Sequence, residues 1–488
     1  MSRQEPKLPT QREPCHLPTK ESTKSFWHNE PSALLIGHRS TRNLPETADV
    51  VIIGSGITGA SIAHHLLTAD NEIKPKVVLL EAREACWGAT GRNGGHCQPI
   101  FFENPHDPSI GRFELQTFYT LQNLIKAENI ECEFVAQPGV RAIYSRSHLN
   151  DAELALLTMK DTAPDLSAMM KLVTDRNELN ALRIPTALGA IVTEVAARMW
   201  PYKFVSHILE NLLTSNKLSG SFNLQTLTPV TKLEHCPSHT TVHTERGTIN
   251  ASRVVLATNA YTSHLLPSFS NLIVPCRGQM SSLIPSPSVS GTDRLKTSLG
   301  FLGDGLDDYL IQRPNEKGGH LMFGGGRQHG KSMGVTDDSF IDEETGKYLQ
   351  TRLVEALNLP EGGMLEATHI WTGIMGFSRD DHPWVGRVPD MENVWIAAGF
   401  TGHGMPNTWL SGKAVAVMVG KDLEGAKENE QVEIARKETG LPECYVVTKG
   451  RMEAALQLEH VESKDWAEME RARRSSLGAR QRVASGFA

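Results

Sequence analysis

A chain of 488 residues is too long for one ordinary hydrophobic core and suits two interleaved domains. Hydrophobic residues at 39% and charged residues at 22% are the balance of a soluble globular protein. With 49 Lys and Arg against 56 Asp and Glu, the net charge is -7 and no basic stripe offers phosphate backbones a grip, so nucleic acid is not an expected partner.

Residues 1–45 read as an extended, Pro-rich and polar arm without periodicity, which Trp27 and Leu35-Ile36 can tack to the body. That stretch holds no apolar run of the secretory type. Four short apolar runs then read as buried parallel strands: Val50 to Ile53, Lys76 to Glu81, Arg253 to Thr258 and Val394 to Ala398. Helical patterns cover Ile57 to Leu67, Gly111 to Asn129, Asp151 to Ala163, Pro164 to Val173 and 204–215. Strands are expected near Asn223 to Thr226, Val230 to Leu233 and Thr241 to Thr244, and a turn-rich antiparallel sheet over 273–330. Beyond Leu423 the chain reads as a charged helical tail ending in RARRSSLGARQR, a solvated face by composition. The seven cysteines are scattered without a close pair, as reduced thiols in a cytoplasmic protein would be, and neither a disulfide framework nor a metal site is expected. No run of 18 apolar residues occurs, so no membrane span is expected.

The strongest local signal is VVIIGSGITGASIAHHLL, in which Gly54, Gly56 and Gly59 follow a strand and open a helix. Gly54 permits the tight turn, Gly56 lets backbone approach a pyrophosphate, and Gly59 lets helix and strand lie close. Ser55 and Thr58 complete the turn, whose helix N-terminus presents N–H groups to an anion. The second strand ends in Glu81, placed to bond both ribose hydroxyls and to repel a 2′-phosphate.

A second glycine-rich loop follows directly: Glu81, Ala82 and Arg83, then Gly88, Ala89, Thr90, Gly91, Arg92, Asn93, Gly94, Gly95 and His96. A nicotinamide cofactor has no need of that loop, whereas the longer FAD does. The segment resembles the E-x6-G-(A/S)-(T/S)-G-R-N-G-G signature of the FAD-dependent family that includes D-amino-acid oxidase and the glycine and sarcosine oxidases, in its gamma-glutamylputrescine oxidoreductase-like branch. VVLATNAY, with Thr258, Asn259 and Ala260, resembles the strand and loop returning to the cofactor, and Val230 joins that group. The stretch from Trp371 to Pro389, with Gly373 and Ile374, resembles an element lining the flavin. NVWIAAGFTGHGMPNTWL resembles the C-terminal closure, bringing Gly399, Phe400, Gly402, His403, Gly404 and Met405 to the cofactor.

The resemblance implies hydride transfer from the carbon beside an amine or amino-acid nitrogen to flavin N5, with oxygen as acceptor, in a mostly apolar pocket. His403, Tyr309 and Arg379 are the candidate catalytic residues, and Arg277, Arg313, Arg327 and Arg379 the candidate carboxylate clamps. Residues 371–389 lack the cysteine that tethers FAD in some relatives, so the cofactor is expected to be tight but non-covalent. Two alternatives stay open: a tailoring oxidase of a larger natural product, and a flavoprotein with a mainly binding role. The expected fold is α/β, a doubly wound FAD-binding (Rossmann-like) domain from 46–100, 190–265 and 366–425. An α+β substrate domain with an antiparallel sheet, from 101–189 and 266–365, is interleaved with it, and 426–488 form the tail.

Overall fold

The structure, a computed structural model, describes residues 12–70, 74–236 and 238–459. It is built on two sheets. The first centres on β1 (Thr47–Ile53), which leads through a glycine turn into α1 (Ile57–Thr68) and then to β2 (Val77–Leu80). β1 pairs in parallel with β2 on one side and with the Gly247–Leu256 strand on the other. Phe222–Gln225 extends the sheet beyond β2, while Val394–Ala398 and antiparallel Trp384–Arg387 extend the other edge.

Successive residues of β1 point to opposite faces, and each face meets its own core. Val50 and Ile52 join a core supplied by α1, Pro108–Ala127, Pro201–Thr214 and Thr408–Leu423. Val51 and Ile53 join a second core, closed by Val230, Val242, Leu266 and Phe269 rather than by long helices. Burial on both faces explains why these strands are continuous apolar runs.

The second sheet has nine strands, with Ala367–Ser378 and Ile273–Leu283 paired antiparallel over their length at one edge. The remaining pairings are antiparallel except that Ser298–Gly303 runs parallel to Val135–Ile143. Two strands fall outside the expected division: Gly189–Arg198 and Ala367–Ser378, read from sequence as parts of the cofactor domain, belong to this sheet. The helix read over Pro164 to Val173 stops at Ser167, and Met170–Val173 is a strand paired with Gly189–Arg198. A partner strand overrode local propensity there.

The expected arm is tacked to the body over its described part. Trp27 and Leu35 are fully buried, Phe26–His28 form a 3-10 turn, and only Ile36 of the tacking residues is exposed. The basic end of the tail lies outside the described residues. All seven cysteines are free, and among the described residues no helix is long and apolar enough to cross a membrane.

Because Ile52 is fully buried between two strands and a helical layer, Ile52→Ala is expected to cost about 2–5 kcal/mol, read as a lower urea midpoint with the slope unchanged.

Candidate functional site

One cleft of about 430 Å³ runs between the two sheets, and the glycine-rich corners meet in it. The first corner depends on a close approach. Gly54 has φ +105°, and a Cβ on Gly59 would sit 1.9 Å from the Gly54 carbonyl oxygen, so a side chain there would push α1 off the strand. Gly56 caps α1 without a side-chain bond, leaving backbone N–H groups at the helix start, of which Ile57 donates to Thr90 Oγ1 at 3.1 Å.

Glu81 is held by its neighbours. Its Oε2 accepts from the Ser55 N–H at 3.0 Å and the Ser55 hydroxyl at 2.7 Å, and its Oε1 from the Arg83 N–H at 2.9 Å. These bonds fix the carboxylate at the cleft wall, where its remaining lone pairs can meet ribose hydroxyls. Ser55 itself is buried behind Glu81.

The second loop contributes Ala82, Arg83, Gly88, Ala89, Thr90, Arg92, Asn93, Gly94 and His96 to the lining. Gly95 backs the loop against Met199 and Trp27 instead. The guanidinium groups of this loop are committed to protein. Arg83 pairs with the fully buried Asp338 at 2.9 Å, and Arg92 donates to the carbonyls of Trp87, Thr23 and Thr372. Burial lowers the Arg92 pKa to about 10 against the opposing pull of Asp338.

The third corner is stitched by Asn259, whose side-chain oxygen accepts from the N–H groups of Gly399 and Phe400 at 3.0 and 3.4 Å. Val230, Thr258, Asn259 and Ala260 line the cleft, as do Gly373, Ile374, Phe400, Gly402, His403, Gly404 and Met405. Gly399 packs behind them against Ile273 and Trp384.

Of the residues read as catalytic, His403 and Tyr309 line the cleft and Arg379 does not. Arg379 is a correction: its guanidinium is buried elsewhere and donates to the Leu458 carbonyl through Nε at 3.1 Å and Nη2 at 2.6 Å. Two of the other arginines are likewise engaged away from it. Arg313 pairs with Glu133 at 2.6 Å, and Arg277 lies over Phe340. Arg327 does line the cleft, with Asp307 as its ion-pair partner and Cys276 Sγ accepting from Nη1 at 3.4 Å. A guanidinium so engaged is not an open fork for a substrate carboxylate.

His403 stands 3.1 Å from Glu114 Oε1, a partner the sequence reading missed. Burial works to lower the His403 pKa, but the Glu114 carboxylate, aided by Glu103, outweighs it and the net direction is up. Glu114 is anchored by the Ile100 N–H at 2.8 Å and the Asn407 amide at 3.0 Å, and Tyr445 donates to Asn407 Oδ1 at 3.0 Å. His96 behaves oppositely. Burial, with Arg141 beside it, lowers its pKa to about 3, so it stays neutral. Tyr309 is pushed up by burial and then by Asp307, so it is a neutral phenol at any physiological pH. Gln98, Arg141 and Glu103 also line the cleft. The one sequence signal for Arg141 is a charge inside the apolar strand GVRAI, whereas Gln98, Glu114 and Asp338 carry none.

These features fit a dinucleotide such as FAD: the α1 N-terminus would take the phosphates, Glu81 a ribose, and the second and third corners would lie along the remaining length. A family model, DAO, described as FAD dependent oxidoreductase, matches residues 49–418. The chain belongs to this family, uses FAD and is an oxidoreductase. It is 24% identical over 434 residues to the gamma-glutamylputrescine oxidoreductase of Escherichia coli (strain K12), covering 83% of this chain and 90% of that one. The crystal structure of glycine oxidase from Geobacillus kaustophilus matches at a TM-score of 0.63 and 18% identity, over 77% of this chain and 95% of that one. The L-proline dehydrogenase from P. horikoshii matches at a TM-score of 0.60 and 20% identity, over 81% and 99%.

Removing the preset carboxylate with Glu81→Ala should weaken FAD binding by about tenfold to a hundredfold, roughly 1–3 kcal/mol, measured by titrating apoprotein and following flavin fluorescence.

Proposed function

We propose that this chain oxidises the C–N bond of an amine or amino acid, with oxygen as the final electron acceptor. The bound FAD supplies the hydride acceptor for the substrate carbon beside nitrogen. What carries this reading is the character of the cleft roof: Met280 and Tyr309 stand beside Gly94, Met375 and Phe377 beside Gly402, and Ile374 completes the lining. Such a wall excludes water and favours an uncharged amine, whose lone pair is then available as the C–H bond breaks.

The chain's own residues would hold and orient rather than abstract a proton. Arg327 and Asp307 form a neutral ion pair in the roof, so they add polarity to the wall without net charge. His403 paired with Glu114 is the proton-holding group, cationic to a higher pH than an ordinary histidine. We further infer that the cofactor is held without a covalent bond. Cys97 supports this: burial, then Glu114, pushes its thiol to about 12, and it does not line the cleft.

An oxygen-electrode and peroxide screen over secondary amines, primary amines and amino acids tests the reaction. At least one such compound should drive oxygen uptake with equal peroxide release. Flavin bleaching without oxygen uptake would replace oxygen by another acceptor, and no bleaching by any amine would contradict the reaction class.

The pH dependence follows from Glu114. The raised His403 pKa means that the cation persists above the usual histidine range and is lost as pH rises through that higher value. Glu114→Gln deletes the larger of the two charges that oppose burial, leaving Glu103 alone against burial and Arg141. The pH–rate limb assigned to His403 should therefore move to lower pH, whereas a limb that stays in place would remove His403 from the profile.

A further inference from the structure

Residues 12–45 precede the 49–418 region that the family model matches, yet they reach the cofactor cleft. Leu17 and Pro18 are part of its lining. The segment before them is tied down at the third corner: the Cys15 N–H donates to Ser263 Oγ at 3.0 Å. The segment after them is tied to Asp338, whose Oδ1 accepts from the Thr19 hydroxyl at 2.5 Å and whose carbonyl accepts from the Thr23 N–H at 2.8 Å. Thr23 Oγ1 in turn accepts from the Thr372 N–H at 2.9 Å.

The arm also grips the second glycine loop through that loop's carbonyls. The Ser25 hydroxyl donates to Gly91 O at 2.8 Å, and Trp27 Nε1 donates to Asn93 O at 2.5 Å. The His28 ring stacks on Trp87 at 3.7 Å, lying so close to the loop that a Cβ on Gly91 would come within 2.4 Å of His28 Nε2. A trans peptide unit points its C=O and the following N–H in opposite directions. Pinning the Gly91 and Asn93 carbonyls to the arm therefore turns the N–H groups of Arg92 and Gly94 away from it, in a loop that lines the cleft. Arg92 closes the arrangement, donating to Thr23 O at 2.8 Å and to Thr372 O at 2.9 Å.

We propose that residues 15–28 are a strap belonging to the FAD site, which orients the second glycine loop and walls the cleft at Leu17-Pro18. The strap rests on the assignment of FAD to this cleft. Cofactor retention then depends on a docked strap, and FAD in turn holds the strap down by reciprocal linkage.

The test uses the full-length holoprotein and two variants. Ser25→Ala with Trp27→Phe removes both carbonyl pins while keeping an aromatic at 27. Leu17→Gly with Pro18→Gly loosens the cleft wall and touches no buried core. Each should speed FAD dissociation, followed by the rise in flavin fluorescence on dilution, by about tenfold or more with far-ultraviolet circular dichroism unchanged. Trypsin cleavage after the exposed Lys20 and Lys24 should also be slower with FAD than without it. Dissociation within about twofold of the unsubstituted protein in the Leu17/Pro18 variant, with cleavage indifferent to FAD, would overturn the strap alone. An unsubstituted protein that takes up no FAD would overturn the cofactor assignment and the strap together.

Discussion

A dinucleotide's pyrophosphate needs close approach of backbone N–H groups, and here the room for that approach begins at the contact between Gly54 and Gly59. The helix and strand meet so closely that a methyl group at 59 would overlap the 54 carbonyl. From that contact follow the position of the α1 N-terminus, the placement of Ser55 behind Glu81, and the Thr90 bond that joins the first loop to the second. Asn259 extends the same logic to the third corner, since one amide oxygen serves two backbone donors of the closing loop.

The second sheet adds what the first cannot. It lays an apolar and aromatic roof over the cleft, in which Arg327 is balanced by Asp307, while Arg83 and Arg92 of the second glycine loop share Asp338 and otherwise donate to backbone carbonyls. A buried guanidinium is tolerated because each has a carboxylate or carbonyl partner, since an isolated one would be costly. At the closing loop His403 stands beside Glu114, which favours its cation.

Much of this was legible in the sequence because it is local. Gly54, Gly56, Gly59 and Glu81 stand in one strand–turn–helix–strand unit, and Val394 to Ala398 was bounded as the structure has it because a doubly buried strand is an unbroken apolar run. What depends on distant pairing was not legible. Met170–Val173 is a strand only because Gly189–Arg198 lies beside it, and Ala367–Ser378 joins the second sheet because Ile273–Leu283 does. Arg379 looked eligible by its place in a flavin-lining stretch, but a buried bond to Leu458 takes it elsewhere. Glu114 and Asp338 carry no sequence mark, being single acids whose partners lie 289 and 255 residues away at His403 and Arg83. Leu17 and Pro18, in a segment that composition alone describes as an extended arm, line the cleft itself.

We propose that three separated glycine-rich corners grip one FAD. The visible absorption spectrum of the purified protein, taken before and after acid precipitation, tests it most directly. A flavin spectrum at one FAD per chain is expected, with the colour passing into the supernatant on precipitation. A colourless protein that cannot be reconstituted with FAD would contradict it.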